Sequence, residues 1–184
     1  MRATLAEYLV LLAVGAEASV RTGWDNYDVL APDGTRIEVK AAGFLQSWSQ
    51  KELSVPHFSR LAAREFDSST NEYSESPMVR ADVFVFAIQT QIEPDDYDAL
   101  DVDHWEFYVV HADRMRESGA KSVGLGWVKS HCAGPVKFAS LSAEISYVAK
   151  PVAKTTQRDI PRALRDAVES TLPPHAHENV ALDE

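Results

Sequence analysis

The sequence predicts an α/β or α+β domain in which a mixed central β-sheet is flanked by helices. The chain opens with a helical pattern, a β-hairpin follows at residues 27–42, and apolar runs at residues 81–89 and 105–111 are typical of buried strands. Further helical patterns come later, and such a mixture of strands and helices favours a layered sheet. At 184 residues, the chain is long enough for one domain with a sizeable core and too short for two.

The first element is predicted to be a helix over residues 5–20. Thr4 is a suitable N-cap, and Gly23 lies just beyond the helix as a stop. Glu7 and Glu17 interrupt the apolar run, which is too short to span a bilayer, so a secretory signal or membrane helix is not expected. The stripe that faces the core consists of Leu5, Leu9, Leu12 and Ala16.

The hairpin takes its register from the Pro-Asp-Gly sequence at residues 32–34. Pro suits the first position of a type I turn, Asp tolerates the second, and Gly supplies the left-handed residue of a three-residue loop. Counting outward from this loop places Asp28 opposite Glu38. Because side chains alternate between strand faces, Asp28, Glu38 and Lys40 share one face. A two-residue Asp-Gly loop would instead place Asp28 opposite Val39.

The other elements have weaker signals than the two buried strands. Residues 53–61 fit a strand or a short helix, whereas residues 67–77 and 93–103 are predicted to be exposed loops. Later elements are short helices at residues 112–118, 122–130 and 140–148, with a strand near 136–138. The single domain is predicted to cover residues 1–150, and residues 151–184 to contribute a helix at 157–172 and a disordered tail.

The overall charge restricts the partners of the chain. With 18 Lys and Arg against 28 Asp and Glu, the net charge is −10, which excludes a broad basic surface that coats nucleic acid. Any DNA contact must be local, and Lys51, Arg60, Arg64 and Arg80 are candidates for it. The one cysteine, Cys132, excludes an internal disulfide, fits a cytoplasmic protein, and is expected to be a buried or half-buried thiol.

Asp28, Glu38 and Lys40 form the candidate catalytic group. Three charged groups on one strand face are costly to desolvate without partners, so a compensating ligand is expected. Mg²⁺ fits, because the two carboxylates and a backbone carbonyl, that of Val39, form with waters the hard oxygen shell that it prefers. Lys40 can then orient or deprotonate a metal-bound water, or stabilise charge on a phosphate. The alternative is a solvated strand face with a cross-strand salt bridge.

These residues resemble the motif of the PD-(D/E)xK nuclease superfamily, which has the restriction-endonuclease-like fold. The resemblance covers residues 1–42, where Asp28 is followed after nine residues by Glu38 and Lys40, and where Glu7 lies on the preceding helix. It implies that Asp28 and Glu38 bind Mg²⁺ or Mn²⁺, that Lys40 assists the attacking water, and that Glu7 supports the metal shell. The implied reaction is hydrolysis of DNA phosphodiester bonds.

Other residues bear on this resemblance. Tyr27 stands where the motif has Pro, which is one departure from the pattern. Glu17 could replace Glu7 as the helix acid, whereas Asp25 points to the opposite strand face and Asp33 belongs to the turn. Residues 43–50, 80–88 and 104–111 are also similar to stretches of small stand-alone bacterial proteins of the superfamily, and many proteins of this fold form homodimers that cut both strands.

Gln46 and Trp48 are candidate substrate-binding residues, because they follow the catalytic strand. Gln46 can hold a phosphate or support Lys40, and Trp48 can stack on a base. The alternatives are an amide that caps a turn and an aromatic side chain that closes the core. Arg80 can contact phosphate or pair with Asp82.

The sequence therefore predicts a cytoplasmic, Mg²⁺-dependent nuclease that acts on DNA. A different class of protein is the alternative: a catalytically idle member of the same fold that serves as a binding or regulatory module in a defence or mobile-element system. The acidic balance and the lack of a recognisable DNA-reading domain favour this alternative.

Overall fold

The computed structural model of the protein describes residues 2–17, 27–64, 66–67 and 69–150. The first compact unit ends at Lys150. Several sequence predictions lie outside the described residues: residues 18–20 of the first predicted helix, Gly23, Asp25, the helix at residues 157–172 and the tail.

The described residues form one helix, then a series of seven strands, and then three helices with one further strand after the first of them. The helices are α1 (Arg2–Val14), α2 (Ala112–Ser118), α3 (Leu125–Ser130) and α4 (Phe138–Val148). The strands are β1 (Val29–Leu30), β2 (Arg36–Gly43), β3 (His57–Ser59), β4 (Phe66–Asp67), β5 (Glu72–Tyr73), β6 (Val83–Gln89), β7 (Trp105–His111) and β8 (Ser122–Gly124). Short 3₁₀ turns lie at Pro94–Asp96 and Val102–His104.

The central sheet is mixed and has the strand order β1-β2-β6-β7. Strands β2 and β6 are parallel, whereas β1 pairs with β2 and β7 pairs with β6 in antiparallel fashion. The predicted class, an α+β domain with a mixed sheet flanked by helices, is confirmed. Strands β3 and β8 form a separate two-stranded sheet, as do β4 and β5.

The sheet separates two apolar layers, and alternation along each strand decides which side chains enter which layer. Val39 and Val85 face the layer that also contains the buried face of α1 and part of α4. Phe84 and Phe86 face the other layer, with residues of α2, α3 and β3. Strand β6 is buried along its whole length, as its uninterrupted apolar run predicts. None of the described helices has the length and apolar character needed to cross a bilayer.

The structure agrees with the sequence most closely at the long periodic segments. Strand β7 and helix α2 have the predicted bounds, and β6 lies within the predicted run. The prediction of one helix over residues 122–130 is wrong, because β8 occupies its first part and pairs with β3. Near residue 136, Val136 makes an isolated bridge to Phe107 in place of a full strand. The predicted loop at residues 67–77 includes a short hairpin between β4 and β5.

Helix α1 begins before Thr4 and ends earlier than predicted, at Val14. Gly15 has a φ of +66° and terminates the helix. Its N–H donates to the carbonyl of Leu12 at 3.2 Å, and the N–H of Ala16 donates to that of Leu11 at 3.1 Å, which is the Schellman arrangement. The buried face also differs from the predicted stripe, because it consists of Ala6, Leu9 and Val10.

Replacing Gly15 by Ala should destabilise the protein by about 1 kcal/mol, since a side chain at positive φ is strained. An added Cβ atom meets nothing within 4 Å, so the effect reports backbone strain alone. Gly126, which has equal space but lies within α3, is the matched control, and Gly126→Ala should leave stability unchanged or raise it by up to about 1 kcal/mol. Urea denaturation measures both changes, and equal effects of the two substitutions would contradict the assigned helix stop.

The predicted hairpin register is confirmed. Val29 faces Ile37 and Leu30 faces Arg36, as the three-residue loop requires. The N–H of Ala31 donates to the carbonyl of Thr35 at 2.9 Å and closes the loop. Strand β1 contains two residues, so Asp28 lies just before it.

A second contact joins the beginnings of β2 and β6. The guanidinium group of Arg36 donates through Nη2 to Asp82 Oδ1 at 2.6 Å and through Nε to Asp82 Oδ2 at 3.0 Å. Asp82 therefore pairs with Arg36. The hydrogen bonds from Arg36 lower the pKa of Asp82 below its usual value.

This lowered pKa predicts a pH-dependent effect of Asp82→Asn. A carboxyl group whose pKa is lower in the folded state stabilises the fold above its unfolded pKa, and this contribution is lost as the pH falls through the folded pKa. Because both side chains are about one-third exposed or more, the loss at neutral pH should be below about 1 kcal/mol. Urea midpoints of Asp82→Asn and the parent should differ near neutral pH and converge in acid. A difference that persists in acid would contradict the ion-pair origin of the effect.

Candidate active site

Glu38 and Lys40 lie on the same face of β2, as the sequence predicts. In the parallel register they are next to Phe84 and Phe86, so they border the apolar layer on that side of the sheet. Lys40 Nζ donates to Glu38 Oε1 at 2.6 Å, and the two side chains are only 20% and 19% exposed. The ammonium group thereby offsets the charge of a carboxylate that water reaches poorly.

Asp28 places its carboxylate at the edge of β2. Strand β1 begins at Val29, opposite Ile37, so no residue of β1 lies opposite Val39. The backbone N–H of Val39 therefore needs another partner on that side. Asp28 Oδ2 accepts a hydrogen bond from the Val39 N–H at 2.7 Å, while the Asp28 N–H donates to the carbonyl of Ile37 at 2.8 Å. The aspartate thus has a structural role at the strand edge, whatever else it binds.

The carbonyl of Val39 points toward the same edge. The N–H and C=O of one strand residue face the same neighbour, and successive residues face opposite neighbours. The carbonyl of Arg36 accepts from the Asp82 N–H at 2.8 Å, so the backbone groups of Arg36 face the β6 side. Those of Ile37 and Val39 consequently face the β1 side. Two of the predicted metal ligands, Asp28 and the Val39 carbonyl, therefore lie at one strand edge.

Helix α1 packs against the face of β2 that carries Val39, whereas Glu38 and Lys40 lie on the opposite face. Arg2, at the beginning of the helix, lies near Gly43 at the end of β2, since a Cβ atom on Gly43 would lie 3.0 Å from Arg2 Cζ. Glu7 is half-buried on this helix, so Glu7 and the Glu38–Lys40 pair belong to different sides of the sheet.

Helical rotation sets the direction in which Glu7 points. Glu7 is about 160° around the helix from Leu5. Leu5 lines a groove together with Ile92, which follows β6. Glu7 is therefore on the flank of α1 away from this groove, and it is not among the residues that line the groove.

The four predicted catalytic residues are thus on adjacent elements, and they differ in how closely they approach one another. Within the described ranges, no three side chains among His, Cys, Asp and Glu are grouped to hold a metal ion, so Glu7, Asp28 and Glu38 do not form a closed cluster of three acids. The predicted ligand set has two carboxylates and one carbonyl. These hard oxygen donors suit Mg²⁺ in their chemistry.

A small cavity beside Glu38 brings two arginines to the site. Arg60 and Arg80 line it together with Glu38 and the apolar side chains of Leu61 and Phe84. Arg60 has a φ of +56°, which is unusual for a residue other than glycine and is often associated with functional sites. The sequence indicated both arginines as possible phosphate contacts, but their approach to Glu38 depends on the path of the chain through β3 and into β6.

Gln46 and Trp48 lie beyond the end of β2, away from this cavity. Gln46 Nε2 donates to the carbonyl of Gly43 at 3.2 Å, and its N–H donates to Gln50 Oε1 at 2.7 Å, so its side chain caps the strand end. Trp48 is 66% exposed, which excludes the alternative that it closes the core. Both residues line an apolar groove, and substrate binding by them stays a prediction.

Cys132 is half-buried, as predicted. Burial raises the pKa of its thiol, and Sγ donates to the carbonyl of Val128 at 3.3 Å. A raised thiol pKa disfavours the thiolate, which is the nucleophilic form, so Cys132 has the properties of a structural residue.

The chain matches no protein-family model. The chain also shows no significant similarity to any curated protein or to any solved structure. What this fold and this site can do must therefore be inferred from the residues themselves.

Proposed function

We propose that the protein is a cytoplasmic Mg²⁺-dependent nuclease of the PD-(D/E)xK type that hydrolyses DNA phosphodiester bonds. The observation that carries this proposal is the half-buried pair of Glu38 and Lys40, whose side chains form a hydrogen bond of 2.6 Å. The carboxylate of Asp28 lies at the edge of the same strand, where it accepts from the Val39 N–H. An acid and a base retained at the margin of an apolar layer are costly for stability, and a metal-dependent hydrolase uses both.

The residues would have separate roles in such a reaction. Asp28, Glu38 and the carbonyl of Val39 would hold Mg²⁺, or Mn²⁺ with its similar preference for oxygen ligands. The bound ion supplies Lewis-acid chemistry and lowers the pKa of water. Glu7, on helix α1, would support the metal shell, as the resemblance implies.

Lys40 and the two arginines provide local positive charge beside Glu38. The ammonium group of Lys40 can stabilise negative charge that develops on a phosphate under attack. Arg60 and Arg80, beside Glu38, can orient the phosphate through charge-assisted hydrogen bonds. This local cationic group is the type of DNA contact compatible with a net charge of −10.

A second candidate function is a catalytically idle module of the same fold. The observation that favours it is that Lys40 already compensates Glu38 and that Asp28 is engaged by the backbone of Val39. A structure with these internal partners holds its charges without a metal. The two candidates differ in whether the acids bind Mg²⁺ and in whether the protein cleaves DNA.

Substituting the acids by their amides should separate the candidates. Asp28→Asn keeps an oxygen that can accept from the Val39 N–H, and Glu38→Gln keeps the side-chain volume, so both variants should fold. In calorimetric titrations with Mg²⁺, we expect both to lose metal binding, and in plasmid-nicking assays we expect both to lose cleavage. Glu117→Gln, an exposed acid on α2, should behave like the parent.

Metal binding and DNA cleavage by the parent protein also distinguish the two candidate functions. Metal binding without cleavage of any nucleic acid would support the idle module. Failure of the parent both to bind metal and to cleave would contradict the nuclease proposal.

A further inference from the structure

A large apolar groove lies beyond the carboxyl ends of the parallel strands β2 and β6, apart from the candidate active site. Its walls are the beginning of α1 and the segments at residues 45–53 and 92–100, and its volume is about 1450 Å³. Its apolar side chains are 40% to 76% exposed: Tyr8, Trp48, Leu53, Ile92, Tyr97 and Leu100. An exposed apolar surface of this kind, concentrated in one concave region, is typical of an interaction site.

Hydrogen bonds of half-buried Gln50 and buried Gln91 hold the walls of this groove in place. Gln50 Nε2 donates to Ser54 Oγ at 2.9 Å and its Oε1 accepts from the Gln46 N–H, which fixes the first wall. Buried Gln91 accepts from the Asp98 N–H at 2.9 Å and also donates to the carbonyl of Asp96. A preformed groove loses little conformational entropy when a partner binds.

Acidic residues lie next to the lining residues of the groove in the sequence, and they form what we call its acidic rim. Glu93, Asp95, Asp96 and Asp98 lie exposed on the segment that forms one wall, and Glu52 lies on the other. The cations that line the groove are Lys51 and Arg2, and Arg2 donates to the carbonyl of Leu45. Such a rim repels phosphates and attracts cationic groups, so nucleic acid and anionic membranes fit this groove poorly.

The way in which a partner can bind follows from the groove walls. The groove lies past the last residues of β2 and β6, and its lining residues belong to α1 and to segments outside the strands. A partner therefore cannot add a strand here and must insert side chains. An amphipathic helix does this with apolar residues on one face.

We propose that this groove binds a basic amphipathic helix of a partner protein. Apolar side chains of that helix insert between Trp48 and Leu100, and its Lys and Arg side chains face the acidic rim. Trp48 is then an anchor for protein and not a stacking platform for a base. The groove contains none of the four candidate catalytic residues, but it includes Gln46 and Trp48, so this proposal replaces their assignment to DNA binding and leaves the proposed phosphodiesterase chemistry unchanged.

Binding of labelled model peptides to the full chain tests the proposal by fluorescence anisotropy. The peptides, about 18 residues long or about five helical turns, share one apolar pattern and carry either Lys or Glu on the polar face. We expect the Lys peptide to bind and the Glu peptide not to bind. Trp48→Ser and Leu100→Ser should each weaken binding by at least about tenfold, whereas Tyr147→Ser, at an equally exposed position on α4, should leave it unchanged.

The charge contribution has its own matched pair of variants. Replacing Asp95 and Asp96 by Asn should weaken binding and reduce its salt dependence, whereas replacing Glu72 and Glu75 by Gln should do neither. Circular dichroism confirms that each variant is folded. Equal binding of both peptides, equal effects of groove and control variants, or Trp48-dependent binding of a labelled single-stranded oligonucleotide in preference to the Lys peptide would overturn the proposal.

Discussion

Lys40→Ala should lower DNA cleavage by about 10²–10³-fold, because it removes a charge placed where negative charge develops during attack at phosphorus. The same substitution should retain or strengthen Mg²⁺ binding. In the parent, Lys40 Nζ lies 2.6 Å from Glu38 Oε1 and competes with a cation for that carboxylate. Loss of activity together with intact metal binding is the combination that distinguishes the lysine from a merely structural partner.

Plasmid nicking and calorimetric titration with Mg²⁺ measure the two quantities on the same preparations. Lys121→Ala is the control, since it removes a lysine from an exposed position outside the candidate site and should change neither quantity. Unchanged cleavage in Lys40→Ala would contradict the assigned role. So would a loss of metal binding equal to that of Glu38→Gln.

Phe86→Ala should have the largest effect on stability, a loss of about 3–5 kcal/mol. Phe86 is fully buried on the central strand β6. Its ring centroid lies 4.7 Å from that of Phe58 in an edge-to-face contact and 5.8 Å from that of Phe84. Removing it leaves a cavity and breaks both aromatic contacts, and the tight packing around it restricts collapse.

Urea denaturation at neutral pH measures this loss. Tyr147→Ala, at a 69% exposed position, should change stability by no more than about 0.5 kcal/mol. Phe86 is also the neighbour of Lys40 across the parallel pair, so any folded population of Phe86→Ala should show weakened cleavage as well. A loss below about 1 kcal/mol would mean that the side chains around Phe86 rearrange more freely than a close-packed layer allows.

Local signals were sufficient where one short segment contains the whole pattern. The apolar run of β6, the pattern of β7 and the Pro-Asp-Gly loop that sets Val29 opposite Ile37 are examples. Each depends on periodicity or on turn geometry that neighbouring residues decide among themselves. Alternation along β2 correctly placed Glu38 and Lys40 on one strand face, independently of the loop.

Local signals failed where a distant partner decides the structure. Residues 122–124 were predicted to be helical, but they pair with β3 across more than sixty residues and form β8. The end of α1 was misplaced because two glycines, Gly15 and Gly23, could each stop the helix, and the first one adopts the left-handed conformation. The exposed position of Trp48 also depends on walls formed by remote segments.

The sequence by itself determined the class of the fold, the hairpin register and the identity of the acid and base on β2. Hydrophobic periodicity and turn chemistry are properties of short segments, so they can be read without tertiary contacts. Only the tertiary structure decided that Asp28 binds the edge of β2, that Arg60 and Arg80 meet Glu38 in one cavity, and that the acidic segment at residues 93–98 forms part of the wall of the apolar groove. These features depend on which segments pack together, because burial, charge proximity and groove shape are set by contacts between residues far apart in the chain.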